Sequence, residues 1–207
     1  MKNIPSKWEK GASKFIDFKL MWDSLTYRED LLHNENIILF KDEVKLVYAN
    51  GGAAIHCFEM PQNDLFDYIL STPAYKEQLS LTILLASKPF RENAKEFDIK
   101  NDVKIFNNFI NEPVFKWMSS FVLDGFLTEL LVIGGAYKRF DRKASEAKNI
   151  CINFCNSLFE DRYSDVQVYY SDDYWSKWFN GVAWDSTFVI FDSKLKRVWI
   201  LALTDTD

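Results

Sequence analysis

Residues 186–203 have the sequence STFVIFDSKLKRVWILAL, and this stretch decides the fold class that the sequence predicts. Two runs rich in β-branched and aromatic residues, Ser186–Phe191 and Arg197–Leu203, flank a short polar segment. Such runs favour strands, and a polar segment of five residues between them favours a turn. We therefore predict a β-hairpin with its turn at residues 192–196.

The sequence before this hairpin predicts a further strand and a long helix. Val166–Tyr170 has the same β-rich character. Arg142–Phe159 carries apolar residues at helical spacing with polar residues opposite, which predicts an amphipathic helix. The apolar stripe consists of Ala147, Ile150, Cys151, Phe154, Cys155 and Leu158.

The first third of the chain predicts a helix followed by a β-meander. Apolar residues at near-helical spacing favour a helix within residues 11–33. Asn36–Phe40 is apolar, Val44–Ala49 alternates around a lysine, and Ala53–Met60 is again apolar. Asn50-Gly51-Gly52 lies before the last of these runs and tolerates the backbone of a tight turn. About three strands are predicted here.

The middle of the chain predicts alternating helices and strands. Helices are expected at Asn63–Leu70, at residues 103–110 and from Pro113 to Val122, and strands at Leu79–Ala86 and Leu127–Ile133. Together, these segments predict an α+β fold, in which helices cover an antiparallel or mixed sheet of about six to seven strands. No repeat or linker is evident, so residues 1–207 are predicted to form a single globular domain.

Charge and composition exclude several function classes. Thirty acidic residues against 25 basic ones give a net charge of −5, which disfavours binding to nucleic acid. The longest apolar runs are too short to span a bilayer, and the N-terminal sequence has no apolar signal region. The three cysteines do not form a paired framework, which suits a reducing compartment. We therefore predict a cytoplasmic protein that does not bind membranes.

The residue types that usually carry catalysis or metal binding are sparse. The two histidines, His33 and His56, supply little for a triad or a multi-histidine metal site. Cys151 and Cys155 share the apolar stripe and are interpreted as buried small residues. The Gly134-Gly135 pair matches no phosphate-binding motif and is interpreted as a backbone feature. No cofactor is predicted.

The last two aspartates of the sequence allow two interpretations. Asp205 and Asp207 alternate with threonines, so on a strand they would lie on one face. Oxygen ligands so placed could bind a hard cation. A frayed polar tail that protects an edge strand is the more common explanation.

Between Asp165 and Asp192 aspartates alternate with aromatic residues, and Lys177 is the single basic residue. Aromatic side chains bury large areas at low entropic cost, and carboxylates attract basic partners. This combination predicts a surface for a basic protein partner, although core aromatics with turn aspartates would give the same pattern. The residues predicted to contact the partner are Asp172, Asp173, Tyr174, Trp175, Trp178 and Asp185.

The chain resembles the immunity proteins of bacteria in its size and acidity and in two segments, Tyr174–Phe179 and the terminal segment from Trp184 through Asp207. Those proteins neutralise polymorphic or contact-dependent toxins. The resemblance implies a protein that occludes the active site of a cationic toxin, typically a nuclease domain. Two alternatives remain open at this point, namely a hydrolase that uses paired carboxylates and an adaptor subunit without inhibitory activity. The first predicts a concave pocket lined by converging acids.

Overall fold

The computed structural model of the protein describes residues 18–62, 78–102 and 105–207. Within these residues, six strands form one antiparallel sheet in the order β1-β2-β6-β5-β4-β3. The strands are β1 (Thr26–Tyr27), β2 (Gly52–Glu59), β3 (Lys116–Met118), β4 (Val166–Ser171), β5 (Ser186–Asp192) and β6 (Arg197–Thr204). The predicted α+β class is confirmed, and the sheet follows the antiparallel alternative.

Helices cover both faces of the sheet. They are α1 (Glu35–Val47), α2 (Gln78–Leu85), α3 (Lys88–Asn93), α4 (Leu123–Ile133) and α5 (Ala144–Phe159). Short 3-10 helices are Glu29–His33, Lys95–Phe97, Ile105–Asn108, Ser120–Val122 and Tyr163–Asp165. One core lies between the sheet and α1, α4 and α5, and a second lies between the opposite face and α2, α3 and residues 18–25. None of the helices in the described ranges combines the length and the apolar content that crossing a bilayer requires.

The elements predicted around the C-terminal hairpin are confirmed. β5 and β6 pair antiparallel, with Phe188 opposite Leu201, and β4 pairs with the other edge of β5. All residues of β5 are buried, which explains a continuous rather than an alternating apolar run. Helix α5 buries the whole predicted stripe, because residues three and four positions apart face the sheet together.

The predicted β-meander is wrong in its first two strands, since residues 35–47 form helix α1. Its buried residues Ile37, Phe40, Val44 and Val47 are spaced by three or four, which places them on one helical face. Asn34 caps the helix, since its side chain accepts a hydrogen bond from the backbone N–H of Asn36 at 2.9 Å. The third predicted strand, Ala53–Met60, corresponds to β2.

Three further predictions differ from the structure in the middle of the chain. Leu79–Ala86 and Leu127–Ile133 were predicted as strands and lie in helices α2 and α4, because a continuous apolar run does not distinguish a buried strand from a buried helix. The segment after Pro113 was predicted as a helix and instead forms β3 and a 3-10 turn.

The remaining helix predictions for the first half of the chain have mixed outcomes. Of the helix predicted at residues 11–33, residues 11–17 lie outside the described residues, residues 18–22 are helical, and β1 and a 3-10 helix follow. The segment predicted as a helix at residues 103–110 contains the 3-10 helix Ile105–Asn108. The helix predicted for residues 63–70 lies outside the described residues.

Candidate functional site

Trp175, one of the residues predicted to contact a partner, lies in the core. Its side chain is fully buried, and its indole Nε1 donates a hydrogen bond to Thr187 Oγ1 of β5 at 2.8 Å. The ring centroid lies 4.8 Å from that of Phe97 and 5.1 Å from that of Phe179. Packing of a large ring with its polar atom satisfied stabilises the fold. The assignment of Trp175 to an exposed surface is therefore corrected.

Asp185 was also predicted to contact a partner, and it is only 1% exposed. Its carboxylate accepts hydrogen bonds from the backbone N–H groups of Gly181 at 2.6 Å and Val182 at 3.1 Å. It also accepts one from Thr204 Oγ1, in β6, at 2.6 Å. A buried carboxylate needs such donors because it has lost its water. Asp185 therefore fixes the loop before β5 and is not available to a partner.

Trp178, another residue predicted to contact a partner, is partly exposed and partly packed against the core. It is half-buried, and its ring packs edge-on against Phe97, with 5.1 Å between ring centroids. Its remaining surface lines a cleft beside β2. The structure thus places Trp178 apart from the accessible aspartates with which the sequence grouped it.

Asp172, Asp173 and Tyr174 are the predicted residues that remain accessible. The carboxylate of Asp172 is exposed and lies 3.5 Å from Lys116 Nζ of β3. Asp173 is partly exposed and accepts a hydrogen bond from the backbone N–H of Val114 at 2.7 Å. Tyr174 is 42% exposed. These three residues follow β4 directly, next to the segment that leads into β3.

An exposed apolar segment adjoins these three residues. Ile110, Val114 and Trp117 are exposed, and Trp117 is the most exposed of them at 67%. Backbone bonds hold the two segments together, since the N–H of Ile110 donates to the carbonyl of Trp175 at 3.0 Å. We define the acid–aromatic surface as the following six residues: Ile110, Val114, Trp117, Asp172, Asp173 and Tyr174.

Trp117 was missed by the sequence analysis because it was assigned to the apolar face of a helix. In β3 it lies opposite Tyr169, on the outermost strand of the described sheet, where no further strand covers it. The alternation of apolar Phe115, polar Lys116 and apolar Trp117 is the sequence signal that would have indicated a strand. Over a run this short, the two-residue period of a strand and the three-to-four-residue period of a helix both fit the sequence.

A second candidate site is a cleft of about 490 Å³ along β2, which we call the β2-edge cleft. Its floor is the strand segment Gly51–His56. Lys41, Asp42 and Lys45 of α1 form one wall, and Tyr27, Glu96 and Trp178 contribute to the other side. β1 pairs with β2 at Phe58 and Glu59, and no other strand of the described residues pairs with this edge of β2.

His56 links two other residues of the cleft. Its Nε2 lies 2.7 Å from Glu96 Oε1, and its Nδ1 lies 3.3 Å from the hydroxyl of Tyr27. Burial raises the pKa of Glu96, but the hydrogen bond and the charge of His56 outweigh burial, so the pKa lies below its usual value. Burial, together with the carboxylates of Glu29 and Glu96, raises the pKa of Tyr27.

The hydrolase alternative can be compared with this geometry. Two carboxylates, those of Asp42 and Glu96, line the cleft, as that alternative requires. Glu96, however, is held by His56, and both ring nitrogens of His56 already have partners. A general base needs a free nitrogen or oxygen within reach of the substrate. Paired-carboxylate hydrolysis stays a prediction.

The other candidate ligand groups are buried or already bonded. Cys57, Cys151 and Cys155 are free, buried thiols, as interpreted from the sequence for the last two. Asp205 is completely buried and accepts hydrogen bonds from the backbone N–H groups of Asn50 and Ala136, each at 2.9 Å. It is therefore neither a frayed residue nor an open cation ligand. The described residues contain no cluster of three or more potential metal ligands.

Comparison of the chain with protein-family models, with curated proteins and with solved structures finds no match. The candidate function therefore depends on the chemistry of the two sites.

Proposed function

We propose that the chain is a protein-binding module whose acid–aromatic surface docks a basic protein. The observation that carries this proposal is the exposure of Tyr174 and Val114 next to the carboxylates of Asp172 and Asp173, together with the 67% exposure of Trp117 in the adjoining strand β3. Tryptophan and tyrosine dominate interface hot spots because they bury a large area at a small cost in side-chain entropy. Adjacent carboxylates add attraction for lysine and arginine side chains.

The electrostatics of this surface support a cationic partner. The chain carries a net charge of −5, which accelerates the approach of a basic protein at low salt. Asp172 pairs with Lys116, but both side chains are more than half exposed. Such surface pairs contribute little to stability, so Asp172 can exchange Lys116 for a basic group of the partner.

Neutralisation of a toxin is the form of protein binding that we propose. The resemblance to bacterial immunity proteins supports it, and the mechanism would be occlusion of the active site of a cationic toxin domain. A non-inhibitory adaptor would use the same surface. An activity assay of the bound partner distinguishes the neutralising protein from the adaptor, because only the neutralising protein abolishes the partner's activity.

Affinity capture at low and high salt, followed by identification of the retained protein, tests this proposal. We expect a basic protein that is retained at low salt and released at high salt. With that protein, Trp117→Ala should raise Kd by about tenfold or more, mainly through faster dissociation. Asp172→Lys should slow association and weaken its dependence on salt.

Two variants at exposed positions elsewhere serve as matched controls. Tyr137→Ala removes an aromatic side chain that is as exposed as Trp117, at 67%, and Asp141→Lys makes the same charge change on an exposed residue. Both should leave Kd unchanged. If Trp117→Ala and Tyr137→Ala gave the same Kd, the acid–aromatic surface would not be the binding site.

A further inference from the structure

β3 is the outermost strand of the described sheet on the side away from β2, and its outer edge is accessible. Lys116 and Trp117 are both exposed along it. The N–H of Val114 points towards β4, where it donates to Asp173 Oδ2 at 2.7 Å. Successive residues of an extended chain turn their backbone groups to opposite sides, so Lys116 and Met118 also face β4. The N–H and C=O of Trp117 therefore face the open edge.

This edge is both unpaired and almost uncharged. In the described part of the chain, no hydrogen bond reaches the backbone of Trp117 from the outer side. An unpaired edge is a template for another strand, and proteins commonly protect it with charged side chains. Residues 113–122 contain one charged side chain, Lys116, whose Nζ lies 3.5 Å from Asp172.

Exposed apolar side chains accumulate along the same edge. They are Val114 (43%), Trp117 (67%), Phe121 (65%) and Val122 (52%). Two rings and two valines of this exposure offer roughly 500 Å² of apolar surface per chain. A strongly charged segment would find little to pair with here, whereas an apolar strand with a free edge of its own would fit. The same segment in a second copy of the chain is such a strand.

We infer that two copies of the chain pair edge to edge through β3, antiparallel about a two-fold axis at Trp117, and form a reversible dimer. Antiparallel pairing continues the direction of every neighbouring pair in the described sheet. A two-fold axis generates it, because the axis presents the same surface of both copies to each other in reverse direction. The backbone N–H of each Trp117 then donates to the carbonyl of the other, and the two indole rings lie side by side on one face.

The register about Trp117 is self-complementary. Residues at equal distances before and after Trp117 lie opposite each other, so Lys116 of one copy meets Met118 of the other and no like charges are opposed. Val114 precedes Trp117 by three residues and Phe121 follows it by four. The axis therefore brings Val114 of one copy towards Phe121 of the other, so that apolar groups meet along the edge.

The dimer covers part of the acid–aromatic surface, because Val114 and Trp117 belong to both. A basic protein that docks there displaces the second copy, and this consequence alone rests on the proposed function. The dimer itself is measured without any partner, so the two proposals can fail separately. At nanomolar concentrations the chain is monomeric, and the affinity for the basic protein is measured in that range.

Sedimentation equilibrium of the complete chain, at concentrations from about 1 μM to about 1 mM, tests the dimer directly. The two copies together would bury roughly 1,000 Å², at the lower end of specific interfaces, so we expect a Kd of about 1–100 μM. The mass should therefore rise with concentration from 24.3 kDa towards twice that value. A mass of 24.3 kDa at every concentration would overturn the inference and leave the edge to the basic protein.

A pair of charge variants tests the position of the axis. Trp117→Glu places two carboxylates directly opposite each other and removes both rings, so it should raise the Kd of the dimer by about tenfold or more. Tyr137→Glu makes the same change at an aromatic residue with the same exposure of 67% and should leave the Kd unchanged. Equal dimerisation of the two variants would show that the axis does not lie at Trp117.

Disulfide cross-linking tests the register independently of any loss of affinity. Lys116 of one copy lies opposite Met118 of the other, with Cα atoms about 4.5 Å apart, which a disulfide can bridge. A mixture of Lys116→Cys and Met118→Cys chains should therefore form disulfide dimers under mild oxidation. Each variant alone should form few, because its two introduced thiols lie on Cα atoms about 8 Å apart.

The parent chain is the control for this cross-linking, since its three thiols are buried and should form no dimer. Equal yields from the mixture and from the single variants would overturn the proposed register.

Discussion

The carboxylate of Asp205 occupies the space that a side chain on Gly135 would need. A Cβ atom at Gly135 would lie 1.8 Å from Asp205 Oδ2, far inside van der Waals contact. The approach is this close because Asp205 accepts hydrogen bonds from the neighbouring Ala136 N–H and from Asn50. One buried carboxylate thus joins the end of β6 to two loops.

Gly135→Ala is expected to destabilise the protein by about 1–3 kcal/mol, the usual cost of overpacking a filled site. Gly125→Ala is the matched control, since a Cβ there would meet Lys148 Nζ at an ordinary 3.6 Å within helix α4. Alanine favours a helix over glycine, so this control should be neutral or stabilising by up to about 1 kcal/mol. Urea denaturation of the two variants measures the difference, and equal stabilities would contradict the close approach.

Truncation to alanine should lower the free energy of unfolding strongly at Trp175 and hardly at all at Trp117. Trp175→Ala removes a fully buried ring and is expected to cost about 3–5 kcal/mol in the free energy of unfolding. Trp117→Ala removes a ring that is 67% exposed and should change stability by no more than about 0.5 kcal/mol. Chemical denaturation tests both. A large loss of stability in Trp117→Ala would mean that this ring serves the fold and not a partner.

The contact between His56 and Glu96 should give the stability of the fold a component that depends on pH. The pKa of Glu96 is lower in the folded state than in the unfolded state. Its contribution is therefore fully present above the unfolded value of about 4.3 and is lost as the pH falls through the folded value. NMR titration of the Glu96 carboxyl carbon should show a higher pKa in His56→Phe. Tyr27→Phe, which removes the other contact of the imidazole, should leave this pKa near that of the parent chain, and identical titrations in all three proteins would contradict the assignment.

The three thiols should be unreactive in the folded protein. Burial raises the pKa of Cys57 and of Cys151 to about 12 and that of Cys155 well above its usual value. The thiolate is the reactive form, so little of it is present near neutral pH. A disulfide reagent should label none of the thiols at neutral pH in native protein and all three in denaturant. Rapid labelling of Cys57 in the native state would contradict its burial.

The sequence predicted the elements whose apolar pattern is long and regular. Helix α5 belongs to this group because its stripe repeats with the helical period over four turns, whereas the β5–β6 hairpin was predicted from its β-branched and aromatic residues and from the polar turn between the two runs. Helix α1 was missed because Lys41, Asp42 and Glu43 interrupt its apolar residues as a turn would. Glu43 is buried next to Arg142, 99 residues away, and no local pattern reveals such a pairing.

The candidate sites could be predicted only in part for the same reason. Burial of Trp175 depends on its packing against Phe97, 78 residues earlier in the chain, and on its hydrogen bond to Thr187 of β5. The β2-edge cleft adjoins β1, and a strand of two residues leaves almost no signal in composition. Accessible and buried aspartates likewise look alike in sequence, because both occur in loops.

The position of β6 in the sheet affects how the chain can fold during synthesis. β2 has only two residues of β1 on one side, and its full-length neighbour is β6, with Ala53 opposite Leu203. During synthesis β2 must therefore wait for about 150 further residues before β6, its long partner, exists. Until then the apolar side chains and the unpaired backbone N–H and C=O groups of β2 are exposed, so we expect the nascent chain to bind chaperones that hold unpaired strands.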